Sequence, residues 1–163
     1  MQTKEMIRAN WDTSEHICNS YLSDLDDADL MTRPHAGCNH LNWQVGHLIL
    51  SEHNILSSYA ADRVPSLPEG FAETYGKENA HCDDPSAFLS KDALMQAFRV
   101  QRDGAKSLLE TCADADFDAE APEAIRSFAP TVGAMMSMLG SHWLMHCGQW
   151  VIVLRMLNKP VVI

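Results

Sequence analysis

The stretch Ser141-His142-Trp143-Leu144-Met145-His146-Cys147-Gly148-Gln149-Trp150 places two histidines four residues apart in an apolar segment. No proline interrupts the chain from here until Pro160, and apolar residues recur at steps of three and four, which is the spacing of one face of an α-helix. That face consists of Met135, Leu139, His142, His146, Val153 and Leu157, with Gln149 in the gap after the second histidine. The stretch therefore predicts a helix that carries both imidazoles on its buried side.

Length and composition indicate a single globular domain over residues 1–163. The chain has 163 residues, of which 46% are hydrophobic, and this is enough to form one buried core. Its five cysteines are scattered and include no Cys-x-x-Cys pair. We therefore expect free thiols rather than a disulfide framework or a zinc ribbon.

Charge and hydropathy exclude two kinds of partner. With 12 basic and 22 acidic residues the chain carries a net charge of −10, which repels the phosphates of a nucleic acid. No window approaches the roughly 18 consecutive apolar residues of a membrane span, and the first residues lack the layout of a signal peptide. We therefore expect a cytoplasmic protein that binds neither nucleic acid nor membrane.

Periodicity along the chain predicts four amphipathic helices, and hence an all-α four-helix bundle. The helices run from Thr3 to about Leu22, from about Asn42 to Ala61, from a start after Ser90, and from a start near Thr131. Ser90 is expected to cap the third helix, and either Asn39 or Asn42 the second. The fold predicted from the sequence is thus a bundle with a long loop between helices two and three.

The connections carry most of the acidic residues. Acidic runs occupy residues 23–29 and 114–123, and the long loop at 62–90 contains several prolines and glycines that argue against regular structure. In that loop, Phe71, Tyr75 and His81 either close over a substrate or belong to a packed surface loop. In alternating up-and-down order, helices two and four run parallel and both acidic connections lie at the same end of the bundle.

Two imidazoles one helical turn apart can direct nitrogens toward a single metal ion. They can equally be core residues that bond to backbone or carboxylate groups, and the spacing alone leaves both interpretations open. A metal requires a third ligand, for which His47 is the best candidate because it lies in the apolar part of helix two and follows Gly46. The other candidates lie on other faces, on helix one or in loops: His53, His16, His35, His40 and His81.

Three motifs carry a resemblance to a known family. They are Trp43-x-x-Gly46-His47-Leu48, then His142-x-x-x-His146-x-Gly148-Gln149, then Leu154-Arg155-Met156-Leu157-Asn158-Lys159-Pro160. Together with the order and lengths of the helices, these motifs resemble the DinB/YfiT superfamily of predicted metalloenzymes over essentially the whole chain. The family more often has Leu-Gly-Lys-Pro where this chain has Leu-Asn-Lys-Pro.

The resemblance implies a metal site and suggests a function. It places the family's three metal ligands on His47, His142 and His146, which would hold a divalent ion: zinc or nickel first, with iron, manganese or copper as alternatives. Three neutral ligands leave coordination positions open, as in catalytic sites. Relatives include enzymes that use bacillithiol, mycothiol or glutathione-type thiols, so we expect a thiol S-transferase acting on a small-molecule substrate. The alternatives are a metal-dependent hydrolase and a non-catalytic, metal-stabilised dimerisation or stress-response module. A homodimer, common among similar proteins, is the expected assembly.

Three further residues near the motifs have two interpretations each. Gln149, three residues after His146, either hydrogen-bonds to that ligand from outside the metal shell or packs between helices. Glu52 is either a general base or, as we expect from its different helical face, a surface carboxylate. Cys147 points about 100° away from His146, and we expect it to be a small core residue rather than a nucleophile.

Overall fold

A computed structural model describes residues 2–161 and shows an all-α fold. The four long helices are α1 (Thr3–Leu22), α2 (Leu41–Ala60), α3 (Lys91–Thr111) and α4 (Val132–Met156). Within residues 2–161 no strand forms, and an isolated antiparallel bridge joins Glu120 to Thr131. None of the helices in this range has both the length and the apolar content that crossing a bilayer requires. The predicted all-α architecture is confirmed.

The connections between the long helices contain short helical segments. Three are single α-helical turns, and four are 3-10 turns. The α-helical turns are Asp27–Leu30, Phe71–Thr74 and Glu123–Arg126, and the 3-10 turns are Ala61–Arg63, Lys77–Asn79, Pro85–Ala87 and Asp114–Asp118.

The helix starts follow the local capping chemistry of the sequence. The Ser90 side chain accepts a hydrogen bond from the Ala93 N–H at the start of α3, and Thr131 caps α4 in the same way. At the start of α2 the cap is His40, whose Nδ1 accepts from the Trp43 N–H at 3.1 Å. The predicted caps Asn39 and Asn42 were therefore wrong, because the helix begins one residue earlier than expected.

The direction of the helices differs from the alternating order that we predicted. Contacts between α2 and α4 pair Gln44 with Trp150 and Glu52 with Trp143, so the two helices run antiparallel. Asn42, near the start of α2, donates to the carbonyl of Leu89 just before α3, whereas His53, farther along α2, contacts Gln101 in the middle of α3. The two helices therefore run in the same direction. Trp11 donates to the Met136 carbonyl and Cys18 contacts Cys147, so α1 runs parallel to α4. The bundle is therefore up-down-down-up, with α2 parallel to α3.

The long connection makes this topology possible. A 20-residue helix spans about 30 Å, and a segment of 30 residues between Ala60 and Lys91 easily returns over that distance. As a result, the first acidic connection lies beside the start of α3, where Lys91 Nζ donates to the Ser23 carbonyl. The second lies beside the end of α2, where Arg63 donates to Thr111. The two acidic connections are at opposite ends of the bundle, contrary to the prediction.

The connection between α2 and α3 packs against the bundle through a buried tyrosine. Tyr75 is fully buried, and its ring lies against Gly46 so closely that a Cβ atom there would come within 2.0 Å of it. Its hydroxyl donates to Asn42 Oδ1 at 3.0 Å and accepts from the Leu89 N–H at 3.2 Å. Phe71 is also buried, whereas His81 is exposed. The aromatic residues of this connection therefore belong to the core and not to an open surface loop.

A buried ion pair lies between the two halves of the core. Glu52, which we expected at the surface, pairs with Arg102 at 2.9 Å, and both side chains are almost completely buried. The indole N–H of Trp143 donates to the same carboxylate oxygen, Oε2 of Glu52, at 2.8 Å. The guanidinium lies 5.5–5.8 Å from the ring centres of Trp11, Phe98 and Trp143. The surrounding aromatic rings stabilise the cation through cation–π contacts.

The last turn of α4 is closed by Asn158, the position at which the sequence departs from the Leu-Gly-Lys-Pro expected from the resemblance. Asn158 has a φ of +56°, in the left-handed region that asparagine tolerates better than most residues. Its N–H donates to the Arg155 carbonyl, and the Lys159 N–H donates to the Leu154 carbonyl at 2.8 Å. These are the two bonds of a Schellman motif, so the residue at 158 ends the helix.

Candidate metal centre

Three histidines converge between α2 and α4. The ring centres are 5.7 Å apart for His47 and His142, 5.9 Å for His47 and His146, and 5.2 Å for His142 and His146. One nitrogen from each ring lies within 4.8 Å of the others, and all three side chains are partly buried. The sequence places two of the rings one turn apart on α4, and the antiparallel packing of α2 brings the third to the same level.

The offset between the two helices explains how the three rings reach one height. His47 is the seventh residue of α2, whereas His142 and His146 lie on either side of the middle of the longer helix α4. Gln44, the fourth residue of α2, contacts His146 and Trp150, so the last residues of α4 extend past the start of α2. This offset brings the middle of α4 to the level of His47.

Gln44 determines which nitrogen of His146 is free. The Gln44 Oε1 accepts from the indole N–H of Trp150 at 3.0 Å, and its Nε2 donates to the Asn39 carbonyl at 2.6 Å, which fixes the amide orientation. The same Oε1 lies 3.0 Å from Nδ1 of His146. Since an amide oxygen only accepts, Nδ1 of His146 carries the proton. Nε2 is left with a free lone pair, as a metal ligand requires.

Trp43 holds the ring of His47. The two rings stack with centres 4.9 Å apart and planes within 6° of parallel. Trp43 is itself fixed, because its indole N–H donates to the Gly76 carbonyl at 3.1 Å. The connection between α2 and α3, which contains Gly76, therefore helps to orient His47 as a candidate metal ligand.

Burial keeps all three imidazoles neutral. Desolvation lowers the pKa of His142 from its ordinary value, and desolvation with the nearby His142 and Lys77 lowers the pKa of His47. The effect is largest for His146, where burial and then the two neighbouring histidines lower the pKa to about 4. At neutral pH the rings are therefore unprotonated, which is the form that binds metals.

The other histidine candidates are engaged elsewhere. His53 lies 3.1 Å from Gln101 Oε1 on α3, and His40 caps α2 while its second nitrogen lies 3.2 Å from the Cys82 carbonyl. His16, His35 and His81 are not among the residues that the described structure brings to the cluster. Within residues 2–161, the histidine that the structure brings to the pair on α4 is His47.

The residue that contacts a ligand from outside the cluster is Gln44, rather than Gln149. Gln149 is half-buried, and the hydrogen bond to His146, which was one of its two interpretations from the sequence, is made by Gln44. A signal for Gln44 was available in the sequence, since it lies three residues before His47 and therefore on a neighbouring position of the same helix. The role of Gln44 becomes clear only from its hydrogen bond with Trp150, which lies on another helix.

Cys147 is a buried residue that faces α1. Its Sγ lies 3.3 Å from Sγ of Cys18, which is also buried. The hydrogen bond between the two thiols, together with burial, raises the pKa of Cys18 far above its ordinary value. The side chain of Cys147 is itself buried and contacts α1, as expected for a residue that packs in the core.

Comparison with known proteins gives the family. The family model of the DinB superfamily matches residues 10–150, which is most of the chain. The chain belongs to the DinB superfamily. A solved structure described as a conserved protein of a locus from Enterococcus faecalis is 14% identical to this DinB-superfamily protein, covers 98% of it and 99% of its own chain, and superposes with a TM-score of 0.72. At that identity the likeness shows a shared fold. No curated protein matches the chain.

The donor set of this DinB-superfamily protein fits a divalent ion. Neutral imidazoles are ligands for zinc, nickel, iron and copper, and at His146 the protonation of Nδ1 leaves Nε2 for coordination. Three protein ligands on two adjacent helices can hold one ion and leave positions for other ligands. The cluster can therefore bind a metal, and it is the candidate functional site.

Proposed function

We propose that this DinB-superfamily protein is a metal-dependent enzyme that transfers a low-molecular-weight thiol to a small electrophile. The observation that carries the proposal is the convergence of three neutral histidines, one of which has its free nitrogen selected by Gln44. A site that only stabilises a fold is usually closed by four protein ligands, whereas a site with three retains room for chemistry. The thiol class, of bacillithiol, mycothiol or glutathione type, follows from the family resemblance.

The reaction forms one bond and breaks another. The thiol sulfur forms a bond to an electrophilic carbon, the leaving group departs with its electron pair, and the thiol proton passes to solvent. A bound divalent ion, with zinc or nickel as first candidates, supplies Lewis acidity that favours the thiolate form near neutral pH.

The chain's own residues orient the site. Gln44 and Trp43 fix the rings of His146 and His47, so little reorganisation is needed when ligands bind. Glu52 is held by Arg102 and Trp143 in the core. We therefore assign it no role as a general base.

Metal analysis of the purified protein tests the first step of the proposal. We expect about one divalent ion per chain, lost in His142→Ala and retained in the control His81→Ala, which changes an exposed histidine outside the cluster. A protein without stoichiometric metal, whose thermal stability is the same in His142→Ala, would contradict the metal proposal.

An activity assay tests the second step. We expect the metal-loaded protein to consume bacillithiol, mycothiol or glutathione in the presence of a panel of electrophiles, and the His142→Ala variant not to. Hydrolysis of esters or amides without thiol transfer would instead support the hydrolase. A metal-loaded protein with neither activity would support the non-catalytic module.

The homodimer is also proposed. Ile152 and Met156 lie one turn apart on α4 and are 48% and 54% exposed, which is typical of an apolar contact surface. Light scattering after size exclusion should give twice the monomer mass, and Ile152→Lys should reduce it to the monomer mass.

A further inference from the structure

An apolar groove leads away from the histidine cluster. Its volume is about 550 Å³, and His142 lies at its wall together with Ser51 and Ser141. Its remaining lining is apolar, consisting of Ile55, Ile125, Phe128, Met138 and Met145. The volume lies in the range of about 300–1,000 Å³ that is usual for small-molecule sites.

Helix direction explains why the groove begins at the cluster. Ser51 and Ile55 follow His47 by one and two turns on α2, while Met138 precedes His142 by one turn on α4. Since the two helices run antiparallel, these residues extend from the cluster in the same direction. The connection between α3 and α4 supplies Ile125 and Phe128 on the far side.

The polar and apolar groups of the groove are separated. The two hydroxyls and the imidazole are all within one turn of His47 or His142 in the sequence. The other lining residues carry no polar group that could donate or accept strongly. Although the whole chain has a net charge of −10, no charged side chain of the described part of the chain, residues 2–161, lines this groove.

Two large apolar side chains of the groove are exposed. Phe128 is 81% exposed and Met145 is 61% exposed. Exposed apolar side chains that border a concave surface are typical of ligand-binding sites, because a ligand removes them from water. Met145 follows His142 by three residues on α4, so the two side chains are neighbours on one face and both line the groove.

We propose that this groove binds the apolar portion of a small, uncharged electrophile, with the polar reacting group of that molecule beside His142. That the ligand is an electrophile rests on the proposed function. The preference for an uncharged ligand with an apolar portion follows from the lining of the groove alone. An anionic ligand finds no cation in the lining, and a cationic ligand finds no carboxylate. Either one would lose hydration without a compensating partner.

A binding titration monitored at methionine methyl groups tests the inference without any need for activity. We would label the methionine methyls with ¹³C and add butanamide, hexanamide and octanamide, which share an uncharged polar head. The methyls of Met138 and Met145 should shift saturably, while that of Met6, an exposed methionine on α1, should not. Each fully buried methylene tightens binding by about fourfold, so octanamide should bind up to about 15-fold more tightly than hexanamide.

Charged analogues and one variant complete the test. Octanoate and octylamine, which have the same chain length, should bind more weakly than octanamide. Phe128→Ser should weaken octanamide binding by about fivefold without changing metal content, and Val100→Ser, at another exposed apolar position, should leave it unchanged. Equal affinity for charged and neutral probes, or no saturable shift, would overturn the inference.

The outcomes separate this inference from the proposed function. If octanamide binds to a protein that holds no metal or transfers no thiol, the groove proposal is supported and the proposed function is contradicted. If the protein transfers thiol but binds no probe, the proposed function is supported and the groove proposal is contradicted. Methyl shifts that follow protein concentration in the absence of probe, accompanied by a doubled mass, would show that a second copy covers the groove, and would overturn the proposal.

Discussion

Gln44 and His146 form a 3.0 Å hydrogen bond across the interface between α2 and α4. The bond links the helix that carries one candidate ligand to a ligand on the other. Because Gln44 also accepts from Trp150 and donates to Asn39, it has no freedom to turn its amide. The orientation of His146 is thus determined by a residue that contacts no metal itself.

Replacing Gln44 should weaken metal binding. We expect Gln44→Met to lower the affinity for zinc or nickel by about 10- to 100-fold, as is usual when a partner of a ligating histidine is lost. Stability should also fall by about 1–3 kcal/mol, because the Trp150 N–H loses its acceptor. Competition titration with a chelator measures the affinity. Gln149→Met is the matched control, and an equal loss of affinity there would contradict the assignment.

Two glycine-to-alanine changes should have opposite effects. In Gly46→Ala the new methyl group meets the Tyr75 ring, and such overpacking costs about 1–3 kcal/mol. In Gly148→Ala the methyl group enters open space, and the helix gains about 0.5–1 kcal/mol. Urea denaturation of the metal-free proteins measures both free energies of unfolding. A stabilised Gly46→Ala would show that Tyr75 is free to move away from α2.

The buried ion pair should show strong coupling. Either Glu52→Leu or Arg102→Met alone leaves one buried charge without its partner, at a cost of about 3–5 kcal/mol. The double variant removes both charges, so it should lose much less than the sum of the two single losses. A double-mutant cycle of unfolding free energies measures the difference. Additive losses would mean that the two groups contribute independently.

The metal-free protein should lose stability in mild acid. His146 has a pKa of about 4 when folded and about 6.5 when unfolded, so between these values the unfolded state binds more protons. Its contribution is therefore complete above about pH 6.5 and is lost as the pH falls toward 4. Urea midpoints between pH 7.5 and 4.5 should reveal the slope. His146→Gln should make the slope shallower, and an unchanged slope would contradict the prediction.

Local features of the sequence predicted the helices well. α1 runs from Thr3 to Leu22 as expected, and Ser90 and Thr131 cap the helices that follow them. These features depend on residues within one or two turns of each other. The same holds for His142 and His146, whose spacing alone puts them on one face of α4.

Apart from the cap of α2, which is His40 rather than the neighbouring Asn39 or Asn42, the errors concern partners that are distant in the chain. Helix direction depends on how residues 61–90 return across the bundle, and length alone does not fix that route. Glu52 looks like a surface carboxylate until Arg102 and Trp143 are placed beside it. Gln44 lies on the same helix as His47, but its role depends on His146 and Trp150, which α4 brings within reach. Periodicity within one helix does not reveal side chains whose polar partners lie on another helix.

The extensive packing of α1 against α4 has a consequence for biosynthesis. The two helices are in contact from Trp11 and Met136 to Cys18 and Cys147, although more than 100 residues separate them in the chain. A growing chain therefore exposes the apolar face of α1 until α4 has been translated, and contacts of such wide sequence separation form slowly. We expect His142 and His146 to join His47 only in the final closing of the bundle, so that a nascent chain spends most of its synthesis in need of protection from aggregation.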